Sequence, residues 1–288
     1  MMISNSLHPL DHDAPAIPPL PIRVLLVDDD ALNRAIVCRL LAQGKFEPVT
    51  AINGAQAVML VSQQPFDVIL MDWQMPDMNG LECTRRMRAG QSGAQGLTVP
   101  IIALTANTHA EDRAACLAAG MDDFLAKPVQ RDLLNTVVTK WARRAGSPER
   151  PTASPPAPHN EQLQPIRSDE SFAAYDPAVL PERLGTDDTD RVVEDQLLTA
   201  FTESWPVTLQ AIEKAIAAND PATLRLQVHT LKSTAATIGA LALAQVAARQ
   251  DASLNAGRPV ADNLVATLRT LFERFDAALT RHRQGLKL

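Results

Sequence analysis

The chain has 288 residues, 46% of them apolar, with 33 acidic against 27 basic side chains and a net charge of -6. The length suggests about two domains, and the apolar share suffices for ordinary cores. The acidic balance (pI about 5.5) argues against a direct nucleic-acid-binding surface, which needs a basic stripe, and no apolar run approaches the roughly 18 residues of a membrane span.

Residues 1–21 are rich in proline and lack periodicity, which reads as a disordered tail. MMISNSLHPLDHD has no basic start and no apolar h-region, so a secretory signal is not expected. From Ile22 onward, apolar runs alternate with helical segments. IRVLLV (22–27), PVTAI (48–52), FDVILM (66–71), VPIIALT (99–105) and DDFLAK (122–127) read as strands. The helices between and after them are expected over 31–44, 55–64, 80–90, 111–120 and 131–144. Continuous apolar strands alternating with helices predict a doubly wound α/β domain over 22–144, its five-stranded parallel sheet covered on both faces. Residues 145–175 are Pro-rich and unpatterned and read as a flexible tether. From Asp176 to Leu288 the pattern is helical throughout. Helices are expected over 192–203, 205–218, 221–236, 241–256 and 261–283, with Asp220-Pro221 as an N-cap and first-turn pair. This second domain reads as an all-α up-down bundle. Cys38, Cys83 and Cys116 are odd in number and widely spaced, which suggests neither a disulfide framework nor a zinc site. A reducing cytoplasm is the expected compartment.

In an open parallel sheet, ligands bind beyond the carboxyl ends of the strands. The first predicted strand ends in Asp28, Asp29 and Asp30, the third in Asp72, the fourth in Thr105 and the fifth in Lys127. Clustered carboxylates repel one another unless a cation joins them. All-oxygen ligands at a shallow site suit Mg²⁺. A carboxylate nucleophile beside a hard cation, an ammonium and a hydroxyl has the composition that phosphoryl transfer needs.

VLLVDDD, ILMDWQMPDMNG, ALTA and FLAKP together resemble the signatures of the response-regulator receiver domain, a flavodoxin-like fold, over about Ile22 to Arg144. The resemblance implies Asp72 as phosphoacceptor, with Asp28 and Asp29 as the acidic pocket for Mg²⁺ and Asp29 the likelier direct ligand. It implies the backbone carbonyl of Gln74 as a further ligand, and Thr105 and Lys127 as holders of the phosphoryl group. Thr105 and Phe124 fall at the family's switch positions, and Gln74 and Asn107 at positions that tune acyl-phosphate lifetime. Asp77 and Asn79-Gly80 read as the turn that opens the third helix. A phosphohydrolase with an Asp nucleophile is disfavoured, since it wants an acid two residues on, where Gln74 stands.

In the second domain, Leu224, Val228, Leu231, Ala235 and Ile238 form one apolar stripe. His229 lies on the flank of that stripe, with Arg225, Lys232 and Ser233 on its face. An accessible imidazole beside a cation suits a phosphoryl carrier. VHTLKSTAATIGA resembles the His-x-Leu-Lys core of histidine phosphotransfer (Hpt) domains, and Ser233 stands where that family often has glycine. The resemblance implies His229 as phosphocarrier and Lys232 as its charge partner. A kinase dimerisation histidine would be followed by an acid, not Thr230, and no Gly-rich ATP loop follows Arg249. The whole therefore resembles a two-component phosphorelay protein, a phosphoryl carrier rather than a kinase. Its expected partners are a sensor or hybrid histidine kinase and a downstream response-regulator receiver.

Overall fold

The computed structural model describes residues 21–105, 110–144 and 173–285. Five strands form one sheet: β1 (Arg23–Val27), β2 (Glu47–Ala51), β3 (Val68–Asp72), β4 (Ile101–Thr105) and β5 (Asp123–Ala126). All pairs are parallel, in the order β2-β1-β3-β4-β5. The helices between and after them are α1 (Ala31–Gln43), α2 (Gly54–Gln63), α3 (Gly80–Arg88), α4 (Ala94–Thr98), α5 (Ala110–Ala119) and α6 (Arg131–Arg144). The helix α4 has no counterpart in the sequence expectation, because five residues are too short to carry a periodic signal.

The unbroken apolar strands are explained by burial on both faces. Val24, Leu26, Val68, Leu70, Ile102 and Leu104 turn to one side and join α1 and α6 in one apolar cluster. Leu25, Val27, Ile69, Met71, Ile101 and Ala103 turn to the other, beneath α2 and α3. Successive strand residues point to opposite faces, so each layer draws every second residue. The strand order reverses direction between β1 and β3, and the crevice of a doubly wound sheet opens at that switch point.

The second unit comprises α7 (Val179–Leu184), α8 (Asp188–Ala217), α9 (Pro221–Thr237), α10 (Leu241–Asn255) and α11 (Leu264–Gly285). The helices α8 to α11 pack pairwise, α8 on α9 and α11, and α10 on α9 and α11. Asp220 caps α9, its carboxylate accepting from the amides of Ala222 and Thr223, both at 3.1 Å, with Pro221 in the first turn.

Two sequence expectations need correction. The helices expected over 192–203 and 205–218 are one 30-residue helix that runs through Pro206. Proline removes one backbone donor and usually breaks a helix. Here Phe201, Trp205, Leu209 and Ile212 continue a single buried stripe across it, so tertiary packing overrides the local signal. The helix α7 was not expected at all; Leu180 and Leu184 bury its inner side. Of the segment read as a tether, residues 145–172 lie outside the described residues. At its far end Tyr175 is buried, with its ring 5.5 Å from that of Phe275.

Candidate functional site

The first site follows from strand register. Val27 pairs with Met71, so Asp28 and Asp72 leave β1 and β3 side by side. Thr105 pairs with Ala126, and the Lys127 amide donates to the Thr105 carbonyl at 2.7 Å, which brings Lys127 to the same rim. Below it, Asp123 anchors the start of β5 to α6, accepting from Lys140 Nζ at 2.9 Å and Trp141 Nε1 at 2.8 Å.

Lys127 Nζ bridges the cluster, 2.7 Å from Asp28 Oδ2 and 2.9 Å from Asp72 Oδ2. Asp28, Asp29 and Asp72 each bring an oxygen within 4.8 Å of the others. Burial pushes the Asp72 carboxyl up to about 8, more than Lys127 offsets. Burial and the Asp28 charge push Asp29 up to about 6. Burial works against the Lys127 ammonium, but Asp28 and Asp72 hold its pKa above the ordinary lysine value. Full ionisation of three carboxyl groups against one ammonium would leave the cluster short of positive charge, and that deficit fits a hard divalent cation held by oxygen.

The surrounding backbone is tightly built. Asp30 caps α1, accepting from the Asn33 amide at 2.7 Å, and its own amide donates to Asp28 Oδ1 at 2.9 Å. Asp77 takes a left-handed φ of 63° in the turn before α3, and Asn79 caps that helix. A Cβ on Gly80 would run into the Asp72 carbonyl oxygen, so only glycine fits there. The Gln74 amide lies 3.4 Å from Asp72 Oδ1. Thr105 is buried at the end of β4. Phe124 is half-buried on β5, with the Arg113 guanidinium 4.5 Å from its ring centroid. Asn107 lies outside the described residues.

The second site lies on α9. His229 is buried, with 8% of its surface exposed, which corrects the expectation of an accessible ring. A stripe on one helix reports one neighbour, but α9 packs against α8, α10 and α1. Its flank is therefore covered too, and Ser233, Thr234 and Thr237 are buried with His229. The His229 Nδ1 atom is 3.1 Å from Asp251 Oδ2 on α10. Lys232 Nζ donates to the same oxygen at 2.9 Å. Arg225, expected on this face, instead donates to the Leu254 carbonyl at 3.2 Å. Burial opposes ionisation of Asp251, but hydrogen bonds from His229 and Lys232 hold its pKa below the ordinary carboxylate value. An ionised carboxylate only accepts, so Nδ1–H is the donor in this contact, and in the neutral imidazole that tautomer leaves the lone pair on Nε2.

Sequence reasoning missed Asp251. The signal was present: Leu243, Ala247 and Leu254 mark the buried stripe of α10, and Asp251 falls on it, 1% exposed. An acid on an apolar stripe demands a partner.

Comparison with known proteins follows the same division. The model for the response regulator receiver domain matches residues 24–139, and the Hpt domain model matches 196–278. Sensor histidine kinase GacS of Pseudomonas protegens is 34% identical over 212 residues, 73% of this chain but 22% of the kinase. Sensor histidine kinase RcsC of Escherichia coli is 37% identical over 121 residues, 42% of this chain and 12% of RcsC. The chain thus spans a small fraction of these relatives. The receiver domain of sensor histidine kinase PA1611 from Pseudomonas aeruginosa, crystallised with magnesium in its active-site cleft, is 38% identical. That match covers 43% of this chain and 98% of the domain at a TM-score of 0.40.

Proposed function

The chain joins a member of the response regulator receiver family to a member of the Hpt family, and from that premise we propose that it is a phosphorelay protein. Asp72 accepts a phosphoryl group from the phosphohistidine of a sensor or hybrid kinase. His229 carries phosphoryl to or from a receiver aspartate. The observation that carries this reading is the pairing of two complementary sites in one chain: a carboxylate cluster bridged by Lys127, and an imidazole whose Nδ1 is tied to Asp251.

Asp72 acts as the nucleophile and later as the leaving group. Lys127 lies 2.9 Å from its carboxylate and balances charge on the incoming phosphoryl oxygens. The Thr105 hydroxyl binds one of those oxygens and couples the event to Phe124. Asp28, Asp29, Asp72 and the Gln74 carbonyl would hold Mg²⁺, which supplies further charge neutralisation. These residues also make the receiver the catalyst of its own phosphorylation and dephosphorylation. On α9, Asp251 keeps the proton on Nδ1, so Nε2 attacks phosphorus. Asp251 then steadies the cationic ring, and Lys232 balances the charge on its phosphoryl oxygens. A sequence of net charge -6 supports protein partners rather than nucleic acid. No helix among the described residues is long and apolar enough to cross a membrane, and a cytoplasmic site accords with this relay.

The test follows labelled phosphate in wild type, Asp72→Asn and His229→Gln, with kinase and receiver partners supplied in turn. Asp72→Asn should lose acceptance from the kinase, and His229→Gln should lose transfer to and from a second receiver. Equal acceptance and passage by His229→Gln and wild type would overturn the relay.

A further inference from the structure

The two units meet along a seam centred on α1. That helix packs against α7, α8 and α9, and one apolar cluster runs from the sheet through α1 into the bundle. The seam also carries specific polar contacts. Arg39 donates from Nε and Nη2 to Asp190 Oδ1, at 3.1 and 2.6 Å. Gln43 Nε2 reaches the same Asp190 oxygen at 3.0 Å and the Leu184 carbonyl. Asp190 is only 4% exposed, so its charge is costly unless this partner is present.

The position of the seam bears on the chemistry. On the receiver side it includes Asp30, two residues beyond Asp28, whose Oδ2 is 3.4 Å from Thr234 Oγ1. A small pocket beside it is lined by Lys127, Pro128 and Asn33 from the receiver, and by Thr237 and Arg183 from the bundle. Thr234 and Thr237 follow His229 by five and eight residues on α9, about 7.5 and 12 Å along the helix axis. Arg183 brings a guanidinium to this seam whose Nη1 is buried without a hydrogen-bond partner among the described residues. The part of α9 that follows His229 thus meets the receiver rim beside Asp28 and Lys127, and Asp72 and His229 both have little access to solvent.

We infer that the receiver is the partner of its own Hpt domain: Asp72 and His229 exchange phosphoryl within one chain, docked through α1 and latched by Arg39, Gln43 and Asp190. This rests on the relay reading and specifies the partner. In the transfer, the Nε2 lone pair of His229 attacks phosphorus. The N–P bond forms as the acyl O–P bond breaks, and that electron pair leaves on the Asp72 carboxylate. The Nδ1 proton stays on the imidazole, which becomes cationic against Asp251. Covalent joining raises the effective concentration of the two groups to the order of mM, so an external receiver must compete with the docked one.

The experiment uses the full chain, charged at Asp72 with acetyl phosphate and Mg²⁺, and measures base-stable phosphohistidine against time. In wild type its first-order rate should not change with protein concentration. A mixture of His229→Gln and Asp72→Asn chains, able to react only between molecules, should be slower and concentration-dependent. Arg39→Glu should slow the wild-type reaction by about tenfold or more, the scale of losing one partner of a buried pair. Arg39→Glu with Asp190→Arg should recover it, and circular dichroism on each variant checks that the fold survives. Rates that scale with concentration, and a mixture as fast as wild type, would overturn in-chain exchange and leave the relay standing. So would a His229 that takes phosphoryl from an added receiver but never from Asp72. Failure of His229 to accept from any receiver would remove the relay itself, and this inference with it.

Discussion

Asp251 is the side chain on which the second site turns. It holds His229 in one tautomer through a 3.1 Å contact to Nδ1 and shares its oxygen with Lys232. Asn at this position can donate as well as accept, so it no longer fixes the proton on Nδ1, and the tautomer protonated on Nε2 lacks the lone pair that the proposed relay needs. Asp251→Asn should therefore slow phosphohistidine formation by about 10–100-fold, the usual effect of losing an orienting partner, while Asp251→Glu should recover part of it. A quench-flow time course checks both. The same carboxyl links stability to acidity. Its folded pKa lies below the ordinary 3.8, so its contribution is present above that value and is lost as pH falls through the folded value. Thermal melts from pH 5 down to 2 should show a smaller acid-induced drop for Asp251→Asn than for wild type. In the receiver, the charge deficit of Asp28, Asp29 and Asp72 predicts that Mg²⁺ changes the fluorescence of Trp73, which adjoins Asp72. Asp29→Asn should weaken that response, and chelation should reverse it.

Among the helices, α8 departs most from its local sequence. Pro206 occupies an interior position of a 30-residue helix. The stripe Phe201, Trp205, Leu209 and Ile212 stays buried across it, and Trp205 stacks on Phe272 with centroids 4.4 Å apart. Packing thus overrides a residue that would break an isolated helix. Pro206→Ala restores a backbone donor without touching the stripe, so it should raise the melting temperature of the full chain. A fall in melting temperature would mean that the helix is bent there to suit its neighbours. The helix α9 teaches the complementary point. Its apolar stripe identified one packed side correctly, but a helix with three neighbours buries its flank as well. His229 was misjudged for that reason, and the buried Ser233, Thr234 and Thr237 have the same origin.

Across the molecule, the α1 seam joins two units that the sequence separates by a Pro-rich stretch. The short helix α7 depends on it, because six residues cannot hold a helix alone. Its Leu184 carbonyl accepts from Gln43, and its inner leucines lie in the shared cluster. Arg39→Glu should therefore speed amide exchange across Val179–Leu184, with little change in β1 or β3; hydrogen-exchange mass spectrometry checks this. Much of the architecture was readable from residues alone. Strand and helix periodicity are local properties, so the five-stranded parallel sheet and the helical bundle could be read from the chain. The receiver and Hpt matches follow from short motifs with fixed spacing, which is why Asp28, Asp29, Asp72, Thr105 and Lys127 could be singled out before any coordinate. The pairing of His229 with Asp251 was not legible, because the two lie 22 residues apart on different helices. Nor was the Arg39–Asp190 latch, which spans 151 positions. A helix repeats every 3.6 residues and a strand every two, so periodicity reveals which side of an element is buried. It carries no information about which distant side chain waits there, and that choice was made by packing.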